Sequence, residues 1–310
     1  MKLISVITPC HNEEDNVREV YEQVKEVFAR EPEYFYEHIF IDNASCDKTV
    51  PILKEIAKTD RNVKIIVNTR NFGHIRSPHH AILQSRGEAT ICIAADLQDP
   101  PTMISEFLRK WEEGYKIVIG VKSKSEESPL FFAIRRAYYH LIKRLSEVEL
   151  VENFSGFGLY DRKIIEIVKT IDDPYPYFRG LICEIGFERA EIEYIQPSRK
   201  RGITKNNFYT LYDMAMLGLT SHSKVPLRLA TMSGFTVATL SMIVALVYFV
   251  YKLVFWDSFS VGIAPLVIGL FFFSSVQLFF IGVIGEYVGA IHTQVSKRPL
   301  VVEKERINFD

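Results

Sequence analysis

The feature that most limits what this chain can fold into is the absence of charge over two long stretches near its carboxyl end. Leu229 to Tyr251 is 23 residues without Asp, Glu, Lys or Arg, and Ser258 to Gly285 is another 28. About 20 consecutive apolar residues cross a bilayer as a helix. Buried helices of soluble proteins rarely run so long without a charge, so both stretches are transmembrane candidates. Lys224 and Arg228 precede the first, Lys297 and Arg298 follow the second, and only Lys252 and Asp257 lie between them. The positive-inside rule then predicts cytosolic flanks and an outward loop. The opening MKLISVITP has no apolar run long enough for a signal peptide, which places the amino-terminal part in the cytosol. Cys10, Cys46, Cys92 and Cys183 lack CxxC spacing, as reduced cytosolic thiols would. A net charge of −1 gives no reason to expect nucleic acid.

Before about Arg228, charges are frequent and apolar runs alternate with helical patterns. The expected division is an α/β domain over 1–204, an interfacial amphipathic helix and linker over 205–228, a two-helix hairpin over 229–292 and a cytosolic tail over 293–310. Leu3 to Thr8 reads as a strand ended by Pro9. Asn12 reads as the cap of a helix with Asp15 in its first turn and Val17, Val20, Val24, Val27 and Phe28 on one face. Further strands are predicted at His38 to Ile41, Val63 to Val67, Ile91 to Ala94 and Lys116 to Val121, with helices between them. This alternation argues for a mostly parallel sheet with right-handed crossovers. Asp42 and Asp96 then end two strands on one sheet edge, where open α/β sheets bind ligands.

GxGxxG and GxxxxGK[ST] are both missing, which excludes a dinucleotide fingerprint and a P-loop. His79-His80 lacks the spacing of a zinc helix and reads as an exposed helix face or a polar contact near the site. Six stretches carry a resemblance: PCHNEE from Pro9, IDNASCD from Ile41, RNFG from Arg70, ADLQDPP from Ala95, FGLYDR from Phe157 and RGITK from Arg201. In this order they resemble the inverting family 2 glycosyltransferases of the GT-A fold. With KVPLR from Lys224 leading into paired spans, the chain is similar to the polyprenyl-phosphate group, which includes bactoprenol glucosyltransferases and dolichol-phosphate mannose synthases.

The resemblance implies transfer of a sugar from a nucleotide-sugar donor, a UDP-hexose being favoured, to a polyprenyl phosphate of undecaprenyl type. The product would serve cell-envelope or surface glycans. A Mg2+ or Mn2+ ion would stabilise the leaving diphosphate, held by Asp96 and the Gln98 carbonyl, since hard cations take oxygen ligands. Asp42, with Pro9 and Glu13, would border the nucleoside, and Arg201 the donor pyrophosphate. Asp161 would position the acceptor or take its residual proton, although it could equally cap the helix starting at Arg162. Lys122, Lys124, Arg135, Arg136, Thr204 and Lys205 would gather the acceptor phosphate, with Arg201 and Lys205 taking part in catalysis. Two anions must be brought together, so a cationic clamp is required.

Two departures matter. Ala94-Ala95-Asp96 stands where relatives often read DxD, and Asp42-Asn43-Ala44-Ser45 where they often read DDxS. One carboxylate fewer should make metal and donor bind cooperatively. A processive polysaccharide synthase would need more spans and a QxxRW motif, and a degenerate nucleotide-binding scaffold would not retain Asp96, Gln98, Arg201 and Lys205. Gly285 and Gly289 permit close helix packing, either inside the hairpin or in a homo-oligomer. Two helices cannot enclose a wide pore, so a separate flippase is expected to move the product.

Overall fold

A computed structural model describes residues 1–124, 151–197, 216–217, 223–255 and 263–309. Eight strands form one mixed sheet: β1 (Lys2–Cys10), β2 (Tyr34–Asp42), β3 (Val63–Asn68), β4 (Ala89–Cys92), β5 (Ile117–Lys124), β6 (Phe154–Asp161), β7 (Arg189–Ile195) and β8 (Glu303–Ile307). Their order is β7-β5-β6-β4-β1-β2-β3-β8. β1 runs parallel to β2 and β4, β2 to β3, and β5 to β7. β6 is antiparallel between β4 and β5, and β8 is antiparallel at the β3 edge.

Among the described residues this domain has six α-helices: α1 (Val17–Ala29), α2 (Thr49–Thr59), α3 (Gly73–Gln84), α4 (Ile104–Glu112), α5 (Arg162–Thr170) and α6 (Phe178–Glu184). Successive side chains of β1 enter different layers: Ile4 and Val6 pack with α1 and α4, and Ile7 packs with Ile82 of α3. Burial on both faces explains why the central strands read as unbroken apolar runs. Val17, Val20, Val24, Val27 and Phe28 are buried as their spacing predicts.

Three local expectations are corrected. β1 does not stop at Pro9 but runs through it to Cys10, pairing Pro9 with Ile41. The β1 ladder to β4 ends at Ile7, whose carbonyl accepts from the Ile93 N–H, whereas the Cys10 carbonyl accepts from Asn43 on the other side. The bonds of Pro9 therefore face the side β4 has already left, and its missing donor leaves no gap in the ladder. Asn12 caps no helix; it sits at φ 55° and its side chain accepts from the Cys46 N–H. Asp15 precedes α1, whose first turn carries Glu19 instead.

Two further helices, α7 (Val225–Val254) and α8 (Ile263–Val295), contain apolar windows long enough to cross a membrane, and neither window is buried against protein. A core helix of a soluble domain would be covered. The Tyr287 hydroxyl donates to the Ser223 carbonyl at 2.7 Å, tying the start of α7 to α8. A Cβ at Gly285 or Gly289 would meet nothing within 4 Å, so this pair is not used to pack the two helices together.

The tail is not a free segment. β8 extends the sheet beside β3, and its side chains fasten it: Glu303 pairs with His80 at 2.6 Å, Glu305 with Lys54, and Asn308 donates to the Ala57 and Val63 carbonyls at 2.9 Å.

Candidate active site

Because β1, β2 and β4 are parallel, Cys10, Asp42 and Cys92 finish at one edge of the sheet. Each strand is followed by a turn containing a non-glycine residue in the left-handed region: Asn12 at φ 55°, Ala44 at 59° and Leu97 at 58°. Such conformations cost free energy and concentrate at functional sites. The turns are laced together. Asn12 N–H donates to Ser45 Oγ at 2.8 Å, and Glu13 N–H to Thr49 Oγ1 at 2.8 Å. The Glu13 carboxylate accepts from Asn16 Nδ2 at 2.6 Å.

Asp42 is fully buried. Its Oδ2 accepts from the Ser45 N–H at 3.0 Å, while Oδ1 has no hydrogen-bond partner. A buried carboxylate oxygen left unsatisfied is costly and presents an acceptor for a ligand N–H or O–H. Beside it, Asn43 Nδ2 donates to Asn71 Oδ1 and the Gly73 carbonyl, at 2.9 and 3.1 Å. Asn43 Oδ1 accepts from the Phe72 N–H and Asn68 Nδ2, at 2.8 and 3.2 Å. An aspartate here could accept but not donate. The amide thus holds the Arg70–Gly73 loop against β2.

Asp96 and Gln98 flank the strained Leu97 and are both half-buried; the Gln98 N–H donates to Asp96 Oδ1 at 3.2 Å. Among the described residues no three His, Cys, Asp or Glu side chains gather into a metal site. One carboxylate and one amide oxygen fit a hard divalent cation whose shell is completed by ligand oxygens.

Asp99 closes the polar run that follows β4, where the sequence pattern assigned it no role. It is buried, its Oδ1 accepts from the Tyr194 hydroxyl at 2.9 Å and its Oδ2 from the Ala94 N–H at 3.2 Å. Burial raises its carboxyl, outweighing the opposing effects of Tyr194, the Lys122 charge and the Ala94 N–H. Asp99, Pro9, His79, Ala94, Ser155 and Arg179 help line a cavity of about 480 Å3. His79 is no exposed face residue: burial, then the neighbouring His80, lowers its imidazole to about 4, so it lines the wall as a neutral ring. His80 instead meets Glu303. The only signal for Asp99 was its place before Pro100-Pro101, and Tyr194 lies 95 positions away with no local signal.

β5 and β7 are parallel to each other and run with β4 across the antiparallel β6, so Lys122 and Lys124 end at this same edge. Pro9, Glu13, Asp42, Asp96, Gln98, Lys122 and Lys124 therefore all lie along this one edge of the sheet. The structure does not bring Asp161 there. Antiparallel β6 pairs Asp161 with Ala89, which pairs with Ile4, so Asp161 stands at the opposite edge. There it caps α5 by accepting from the Lys163 N–H at 2.9 Å, and it also accepts from Trp111 Nε1 at 2.7 Å and Lys116 Nζ at 2.9 Å. The expectation that Asp161 meets the acceptor is corrected: it is a structural cap. Arg135, Arg136, Arg201, Thr204 and Lys205 lie outside the described residues.

The mostly parallel sheet thus carries Asp42 and Asp96 at one edge, with Lys122 and Lys124 along the same edge. The model of glycosyl transferase family 2 matches residues 5–168, and the chain belongs to that family. It is 34% identical to the uncharacterized glycosyltransferase YkcC of Bacillus subtilis, over 99% of this chain and 94% of that one. It is 32% identical to the bactoprenol glucosyl transferase of Shigella phage SfII, over 97% of both chains. Among solved structures, glucosyl-3-phosphoglycerate synthase of Mycobacterium tuberculosis, crystallised with Mn2+ and UDP, matches with a TM-score of 0.49 at 16% identity, over 71% of this chain and 76% of that one.

Proposed function

We propose that this glycosyltransferase moves a hexose from a nucleotide-sugar, with a UDP-hexose as the favoured donor, to a polyprenyl phosphate at the cytosolic face of a membrane. The observation that carries the reading is likeness over 97% of both chains to a bactoprenol glucosyl transferase, a span that includes α7 and α8 as well as the sheet edge. The product would be a lipid-linked sugar for envelope glycans, moved across the membrane by a separate flippase.

In this reading Asp42 Oδ1 accepts a hydrogen bond from the nucleobase, and Pro9 and Glu13 border it. Asp96 and Gln98 hold Mg2+ or Mn2+, which when bound offsets the charge of the departing diphosphate. Lys122 and Lys124 approach the phosphates, joined by Arg135, Arg136, Arg201, Thr204 and Lys205. The acceptor is a phosphate monoester with a second pKa of about 6, so it arrives largely as a dianion. Its oxygen attacks the anomeric carbon from the face opposite the leaving group. The bond from that carbon to the nucleoside diphosphate breaks, configuration inverts, and no proton has to be removed. Chemistry of this kind does not need a strong base, and the removal of Asp161 from the site costs it nothing.

The test is transfer of label from a panel of UDP- and GDP-sugars into polyprenyl phosphate, with and without Mn2+, for wild type and Asp96→Ala. Metal-dependent label in the lipid that falls by a factor of roughly 100 or more in the variant, as for loss of a group acting on transition-state charge, is the expected result. No label with any donor, despite nucleotide binding, would leave a nucleotide-binding scaffold.

A further inference from the structure

A second concavity lies apart from the sheet edge, where the carboxyl end of α8 meets the catalytic domain. It measures about 290 Å3, and its walls include Arg76, Tyr175, His292, Ser296 and Arg298. Arg76 belongs to α3, and its neighbour Ile75 lines the catalytic cavity; Tyr175 likewise precedes Pro176 and Tyr177, which line it too. The two spaces are therefore neighbours separated by α3 and the 174–177 segment.

The charges in this second pocket are unbalanced. Arg76 donates through Nη2 to the Pro299 carbonyl, but its Nε is buried and has no hydrogen-bond partner. Burial, then the positive charges of Arg70 and Arg298, hold the Arg76 guanidinium below its ordinary value against the opposing effect of Tyr175. Among the described residues no carboxylate pairs with Arg70, Arg76 or Arg298. Of the acids just before the lining residue Pro174, Asp172 is exposed and pairs with Lys297, and Asp173 accepts from the Tyr175 N–H. A guanidinium with an unused buried N–H beside a second guanidinium matches the oxygens of a phosphate, which takes parallel hydrogen bonds from arginine.

The position narrows the ligand further. The apolar window of α8 ends at Val295, one residue before Ser296 and three before Arg298. With α8 in a membrane, these residues stand at headgroup level, where basic pockets beside transmembrane helices meet lipid phosphates. We propose that this pocket binds the phosphate group of a membrane lipid through Arg76 and Arg298, outside the catalytic cavity. The proposal rests on the reading of α7 and α8 as membrane spans. The phosphate can come from a bulk anionic phospholipid, which would brace the catalytic domain against the bilayer, or from a polyprenyl phosphate held beside the cavity before transfer.

The test uses the full chain in a neutral detergent, with native mass spectrometry reading lipid retention. The probes are a phosphatidylglycerol, a polyprenyl phosphate, inorganic phosphate and an uncharged diacylglycerol. Arg298→Gln changes an exposed residue and leaves the Arg76–Pro299 contact intact; the double variant Arg76→Gln/Arg298→Gln removes both cations. Wild type is expected to retain a lipid phosphate, with affinity falling about ten-fold in Arg298→Gln and further in the double variant, as for loss of a charge-assisted bond. Diacylglycerol should not be held. If phosphatidylglycerol and polyprenyl phosphate compete for the Arg298-dependent position, the site takes bulk headgroups; if only polyprenyl phosphate occupies it, the site serves the acceptor. A catalytic acceptor site would add lipid whose retention does not depend on Arg298. Unchanged retention in both variants, equal retention of diacylglycerol, or binding of inorganic phosphate alone overturns the proposal. Retention is read without turnover, so a failed transfer assay leaves this result standing.

Discussion

Asp42 is enclosed by the fold with one oxygen satisfied and the other open. If that oxygen meets the donor, Asp42→Asn should raise the donor KM about ten-fold or more while changing kcat less. A hydrogen bond to a charged group contributes about 1.5–3 kcal/mol. Steady-state kinetics at saturating acceptor checks this, and an unchanged KM would remove Asp42 from the donor pocket. Asp161 carries the opposite expectation. Losing a helix cap and leaving Trp111 Nε1 unpaired should make Asp161→Ala about 3 kcal/mol less stable, with turnover per folded molecule nearly unchanged. Burial works to raise the Asp161 carboxyl, but the bonds from Trp111, Lys116 and the Lys163 N–H outweigh it and hold it below the usual range. The ionised form is therefore favoured in the folded state. Its contribution is present above the unfolded pKa of about 3.9 and is lost as pH falls through the lower folded value, so the variant should show a shallower acid limb in its stability profile. Asp42 and Asp96 were legible because each interrupts an apolar run that had to be a strand. Asp161 was misplaced for a physical reason: strand direction is not written in a local pattern, and β6 runs against its neighbours. Asn43 looked like a missing acid until its four bonds to residues 68–73 were seen, all of them between separate turns.

At the scale of elements, most strands and helices of the first 124 residues follow from periodicity, with ends displaced by up to four residues in either direction: β2 starts at Tyr34 instead of His38, and β4 covers Ala89–Cys92 instead of Ile91 to Ala94. β8 does not. Its sequence, EKERI, alternates charges and carries little apolar surface, because an edge strand with half-exposed faces needs pairing and ion contacts more than burial. The partners that reveal it, Lys54, His80 and β3, are more than 220 positions away. Asn308 locks the end of this strand. It sits at φ 59°, a conformation asparagine tolerates better than most residues, and its side chain serves two carbonyls. Asn308→Ala should strand both carbonyls and strain the turn, lowering stability by about 2 kcal/mol. Denaturant unfolding of the full chain measures it. A midpoint identical to wild type would mean that the tail contributes nothing to holding the sheet.

At the scale of the whole molecule, β8 constrains how the chain can meet a membrane. The helix α7 leaves the catalytic domain, and the chain after α8 returns to the same sheet to pair with β3. A sheet cannot be shared across a bilayer, since its backbone polar groups would be unsatisfied in hydrocarbon. If α7 and α8 both span, their domain-facing ends must lie on one side, and residues 256–262 on the other. Strand pairing thus demands, independently, the orientation that the flanking Lys and Arg residues favour. The two routes can therefore be tested against each other. In a background lacking the four native cysteines, Ser258→Cys in intact cells should react with a membrane-impermeant maleimide, whereas Lys304→Cys, at an exposed position of β8, and Lys110→Cys should react only after the membrane is opened. Labelling of position 304 but not 110 in intact cells would mean that β8 is not paired in the cell, and the sheet would have to close at β3. Labelling of none of the three before opening, and all of them after, would place the 256–262 segment on the domain side and make α7 and α8 helices that lie along the membrane without crossing it.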